Sequence, residues 1–226
     1  YLSGAAQKCP SVEFLYDEGV SRMIGAPPDL LALLCAVFLT GMLFPTEFES
    51  GFSRIMRACP RGRGAIFRAK LLYILLCALG SALLFGGADF LFLWKNFAPD
   101  YLSAPAVSIP SLADAPVGRT IGQHLLLLRG IRSAGFAASY LFAAALSALL
   151  EKRVVAMAVS ALTFAIPVLV AKSGLPLLNC VSFPLFTAPN APARELATYL
   201  ITSAAAIAFL LLARRKWCGT SMHRFT

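Results

Sequence analysis

The sequence predicts an all-α fold, a polytopic transmembrane helix bundle with five spans in this chain. Three observations predict it. The 226 residues are 58% hydrophobic and only 14% charged, and the mean hydropathy is +0.74. Ordinary soluble domains carry roughly 45–50% apolar and about 25% charged residues. The apolar residues are gathered into long runs, which is the pattern of an integral membrane protein. The lysines and arginines stand at the ends of those runs and mostly on one side.

The elements follow in order. Residues 1–29 are read as an extracytoplasmic loop. The first span runs from Leu30 to Phe44. A helix needs about 20 residues to cross the hydrocarbon core, so this span borrows flanking residues or sits in a locally thinned bilayer. Residues 45–70 form a cytoplasmic connection, and the second span runs from Leu71 to Trp94. Residues 95–118 are rich in Pro, Ser and Ala, a loop composition. The stretch TIGQHLLLLRGIR (120–132) reads as a helix lying along the interface and leading into the third span, Ala134 to Leu150. The fourth span runs from Val154 to Ala171. Residues 174–192 are apolar but broken by four prolines, so an interfacial or re-entrant segment fits them better than a spanning helix. The fifth span runs from Leu196 to Ala213.

Orientation follows from charge. Segments 45–70, 151–153 and 214–226 hold Arg54, Arg57, Arg61, Arg63, Arg68, Lys70, Lys152, Arg153, Arg214, Arg215, Lys216 and Arg224. The other connections are more than twice as long in total and hold only eight of the 20 basic residues. The denser side is cytoplasmic. This places the C-terminus inside, the N-terminus outside, and the protein in the cell (plasma) membrane. A polar outer start with no signal before it implies a further span upstream, giving six in the full protein. Removal of a signal peptide would also leave such a start.

Several chemistries find no support in the letters. The six cysteines show no CxxC spacing, and His124 and His223 stand alone, so no metal site and no cofactor are expected. Cys35 and Cys77 lie in apolar runs and read as small core residues. Cys9 and Cys180 both fall on the outer side, where a disulfide or two free thiols are open alternatives. There is no GxxxxGK[ST] phosphate loop and no GxSxG elbow. The net charge of +9 is accounted for by membrane topology and carries no sign of a nucleic-acid partner.

The connection 47–70, EFESGFSRIMRACPRGRGAIFRAK, holds the most information. Phe48, Phe52, Ile55, Met56 and Cys59 share one face of an α-helix. Glu47 and Glu49 fall in its first turn, and Arg54 and Arg57 later, as the helix dipole favours. Pro60-Arg61-Gly62-Arg63-Gly64 then stops the helix and reverses the chain. The segment reads either as an interfacial anchor on anionic lipid or as a coupling element docked on a cytoplasmic partner.

These residues and their place resemble the membrane permease subunit of type-2 ATP-binding-cassette (ABC) exporters, in a bacterial form lacking its first span. The resemblance covers about Leu30 to Trp217. It rests on Glu47, Glu49, Gly51, Arg61, Arg63 and Lys70, on the long outer loop, on the tight turn Glu151-Lys152-Arg153 and on the short basic tail. It implies a single permease domain over residues 1–226 and a dimer with a second permease copy or paralogue. It also implies a separate cytoplasmic ATPase subunit that performs hydrolysis, so this chain is expected to be no enzyme. Residues 45–70 would be the coupling segment, with Glu47, Glu49, Gly51, Arg54, Arg57, Arg61, Arg63 and Lys70 as candidates for the ATPase contact or the turn. Membrane lipid is the remaining partner.

Other residues have plainer readings. Asp89 is read as an interfacial, solvated acid, and Arg129 and Arg132 as snorkelling from the span end. Pro167 lies inside the fourth span. Ala143, Ala144, Ala145, Ser147 and Ala148 allow close helix packing. Tyr199 and Trp217 read as interfacial anchors. The competing functions are a membrane-embedded enzyme, for which the spans hold almost no acid–base groups, and a non-transporting membrane scaffold or immunity-type protein.

Overall fold

A computed structural model describes residues 29–52, 62–96, 102–112, 118–171 and 196–219, with positions 20, 21 and 55. Among the described residues the chain is helical and has no named strand. The helices are α1 (Leu30–Gly41), α2 (Pro45–Glu49), α3 (Gly62–Asn96), α4 (Ile121–Leu149), α5 (Arg153–Ala171) and α6 (Leu196–Gly219). Two 3₁₀ turns, Ala106–Ser108 and Pro110–Leu112, precede α4. Three stretches are long and apolar enough to cross a membrane: Leu30–Glu49, Gly64–Phe92 and Ile121–Leu149. This fits an integral membrane protein. The apolar stretch Arg153–Leu169 is shorter.

Three boundaries differ from the sequence expectation. First, α1 ends at Gly41 and the chain passes through a turn at Met42–Phe44 into α2, where Pro45 sits in the first helical turn. The short first span thus gains length across a turn, because Thr46 and Phe48 donate their N–H groups to the carbonyls of Met42 and Phe44. Second, α3 already begins at Gly62, so Gly62, Arg63 and Gly64 belong to a helix and not to the turn. Third, residues 120–132 do not form a separate interfacial helix. Thr120 and Gln123 close a capping box, with Gln123 N–H donating to Thr120 Oγ1 at 3.2 Å and Thr120 N–H to Gln123 Oε1 at 3.3 Å. No proline follows before Leu149, so one helix of 29 residues continues into the third span.

α4 is the central helix and packs against α1, α3, α5 and α6. Its small residues make that possible. Ser139, Ala143, Ala144, Ala145, Ser147 and Ala148 are all buried, and short side chains let helix backbones approach closely where no hydrophobic force between helices exists. Larger groups fill the gaps between these contacts. Phe142 packs edge-on against Phe209 of α6, with ring centroids 5.1 Å apart. Phe136 packs against Phe85 of α3 at 6.0 Å. Tyr140 is fully buried, and its hydroxyl lies 2.5 Å from Ser81 Oγ of α3. Thr40 Oγ1 of α1 donates to the Ala36 carbonyl at 2.6 Å and lies 3.4 Å from the Tyr140 carbonyl.

A second, smaller apolar cluster lies before and at the start of α4, formed by Val20, Ala104, Ala106, Ile109, Leu112 and Ile121. Ala106 N–H donates to the Arg119 carbonyl at 2.8 Å, and Ile121 N–H to the Ala104 carbonyl at 2.9 Å. Within the loop composition of 95–118, residues 102–112 therefore form a folded cap tied to the first turn of α4. The Cys9, Cys180 and 174–192 expectations lie outside the described residues, as do the side chains of Tyr199 and Trp217.

Replacing Ala144, which is 1% exposed, by Leu inserts a branched side chain into a tightly packed part of α4. Ala144→Leu is expected to cost about 1–3 kcal/mol of stability, read by denaturant titration in detergent micelles.

Candidate functional site

Charged side chains gather in two places, one at each end of the bundle. The set at the α2 end, the inner one on the orientation expected from charge, contains the expected coupling residues. Glu47 of α2 pairs with Lys70 of α3. The Lys70 ammonium also donates to the Leu43 carbonyl at 3.2 Å and lies 4.2 Å from the centroid of the Phe44 ring. Lys70 is 8% exposed, so its charge is met by an anion, a carbonyl dipole and an aromatic face. Glu49 reaches in a different direction, to α5. One of its oxygens accepts the Arg153 backbone N–H at 2.8 Å, and the other accepts from Arg153 Nε. A carboxylate at a helix N-terminus satisfies an orphan N–H and faces the positive end of the dipole.

Gly51 breaks the segment. Its φ is +72°, and nothing lies within 4 Å of where a Cβ would be, so backbone conformation and not space demands glycine. The continuous amphipathic helix expected from Phe48 to Cys59 is therefore interrupted: α2 stops at Glu49, and helical backbone resumes at Phe52. Phe48 packs on the main core, whereas Phe52 and Ile55 are exposed. Arg63 stands in the first turn of α3. Arg54, Arg57 and Arg61 lie outside the described residues. The structure thus joins Glu47 with Lys70, and it adds Arg153 as the partner of Glu49.

The set at the opposite end, the outer one on the expected orientation, is one that sequence reasoning missed as a set. Asp29 holds the N-cap position of α1, Asp89 lies near the far end of α3, and Arg129 and Arg132 sit one turn apart on α4. Arg132 pairs with Asp29 and with Asp89. Arg129 pairs with Asp89 at 3.1 Å and donates to the Gly86 carbonyl at 2.6 Å. A Cβ on Gly86 would stand 3.3 Å from the Arg129 guanidinium, so the absence of a side chain there makes room for it. The side chain of Arg132 is only 4% exposed.

These positions correct two readings. Asp89 is not a lone solvated acid, and Arg132 does not snorkel to water. The two acids and two arginines neutralise one another, which is how charge is tolerated at membrane depth. A signal for the set does exist in the letters: Arg129 and Arg132 are three apart on one helix face, and Asp29 and Asp89 both stand at the outer ends of apolar runs. Long-range pairing is what the letters do not state.

The two sets should differ in energetic weight. Arg132→Leu takes the arginine partner from Asp29, leaves Asp89 with Arg129 alone, and is expected to cost about 3–5 kcal/mol. Glu49→Gln, at a solvent-exposed pair that water screens, is expected to destabilise far less. Parallel unfolding titrations of the two variants check the order. Comparison with protein-family models, with curated proteins and with solved structures found no match to this chain.

Proposed function

We propose that this chain is the membrane permease subunit of an ABC exporter, with five spans, coupled to a separate cytoplasmic ATPase. On this reading the chain forms the translocation path in the cell membrane as a dimer with a second permease copy or paralogue. Its C-terminus faces the cytoplasm, and hydrolysis takes place on the partner. The observation that supports the reading best is the double attachment of α2. Glu47 ties it to α3 and Glu49 ties it to α5. A short element held by two helices at once can pass a displacement from the cytoplasmic side into the bundle. An element anchored only on lipid needs no such pairing. Phe52 and Ile55, exposed just beyond the Gly51 break, leave apolar surface for an ATPase groove.

A second reading is a non-transporting membrane scaffold or immunity-type protein. It is favoured by the closure of the outer charges on one another, which leaves that cluster neutral and its arginines engaged within the bundle.

Co-purification from native membranes in mild detergent separates the two. The exporter reading expects a stoichiometric partner carrying a GxxxxGK[ST] loop. It also expects at least ten-fold loss of that partner on charge reversal in Arg54→Glu/Arg57→Glu. A chain that comes down alone after cross-linking at Ser53, or a double variant that keeps the partner fully, would overturn the coupling role.

A further inference from the structure

The outer charge cluster joins three helices that the chain connects only through long segments. Asp29 belongs to the start of α1, Asp89 to α3, and both arginines to α4. Arg132 is the shared member, because one guanidinium nitrogen serves Asp29 and another serves Asp89. Its third nitrogen, Nε, is buried and makes no hydrogen bond. The cluster therefore holds a donor it does not satisfy, so closing it leaves a cost that opening to water would relieve. The side chains of Arg129 and Asp89 are 28% and 30% exposed, so one side of the cluster is not covered by the rest of the bundle. The inner end is held by different pairs, Glu47 with Lys70 and Glu49 with Arg153. The two ends are thus fastened independently.

Just below the cluster the packing is close and carries weak polar contacts. Ser139 lies seven residues beyond Arg132 on α4, about 10 Å further in at about 1.5 Å per residue. It is fully buried, and its hydroxyl makes no hydrogen bond. Ser81 and Tyr140 meet at the same depth. Between this region and the cluster stands Phe136, which stacks on Phe85 and lies 5.8 Å from the Arg132 guanidinium.

We infer that Asp29, Asp89, Arg129 and Arg132 form a releasable latch that keeps the outer ends of α1, α3 and α4 together. On the transport reading proposed above, on which this role rests, the latch is the outer gate through which cargo leaves. Arg132 is its central bolt, and Arg129 holds Asp89 against it by bracing on the Gly86 carbonyl.

The test uses the full chain with its six cysteines replaced by serine, reconstituted in lipid nanodiscs. Ser139→Cys reports on the space beneath the latch, since the serine hydroxyl makes no bond that the thiol would lose. Ala148→Cys, 1% exposed and further along α4, reports on general loosening. The probe is a sulfonated, membrane-impermeant maleimide. Arg132→Gln and the milder Asp29→Asn are each expected to raise the labelling rate at position 139 at least ten-fold and to leave position 148 protected. Lys152→Gln, which removes an exposed charge at the other end of the bundle, is expected to stay within about two-fold of the parent. Unchanged labelling at 139 in both releasing variants overturns the latch. So does an equal rise at 139 and 148, which marks general unfolding. The labelling needs neither ATPase nor cargo. Release in a chain that captures no ATPase would therefore keep the latch and remove the exporter reading, whereas a chain that captures an ATPase but never opens would do the reverse.

Discussion

Arg132 can be buried only because two carboxylates from two other helices come to meet it. A guanidinium held away from water without such partners would cost several kcal/mol, so this one requirement sets where α1 starts and where along α3 the helix α4 docks. Asp29 then stands at the level of Asp89 and of Arg132. Below that level the packing of small residues on α4 takes over. Ser139, Ala143 and Ala144 bring neighbouring backbones close enough for Tyr140 to reach Ser81. The register that the ion pairs impose at one end is what allows these small contacts to coincide further in.

The opposite end of the bundle obeys a related rule with different chemistry. Lys70 is nearly as buried as Arg132, but it is a compact ammonium on a flexible stem, and it collects a carboxylate, a carbonyl and an aromatic face. Arg132 instead uses its fork to bridge two acids. Lys70 therefore binds locally, between α3 and the turn after α1, whereas Arg132 gathers three distant elements.

Much of the architecture is legible in the letters because it depends on local periodicity and composition. The apolar runs mark α1, α3, α4, α5 and α6, and the alanines of 143–148 mark a packing face through their small size alone. Gly51 is visible as a turn residue, but its left-handed backbone is not, and the helix expected across it is broken there. The interfacial reading of 120–132 gives way because the helix that starts at Ile121 runs unbroken to Leu149, so this segment continues into the span that follows. The outer cluster is hidden for a more general reason. Asp29 and Arg132 are 103 residues apart, and a residue's periodic position says which face it occupies but not which distant residue stands opposite.

The unbroken length of α4 has a mechanical consequence. Twenty-nine residues at about 1.5 Å each extend roughly 44 Å, against a hydrocarbon core of roughly 30 Å. Held upright, the helix protrudes by about 14 Å, and the cap of residues 104–112 is fastened to its N-terminal part by the bonds at Ala106 and Ile121. Cap and central helix are thus joined, and the helix is braced at Arg129 and Arg132 against Asp89 and Asp29. A force applied to the cap would travel the length of α4 without crossing any break in that helix.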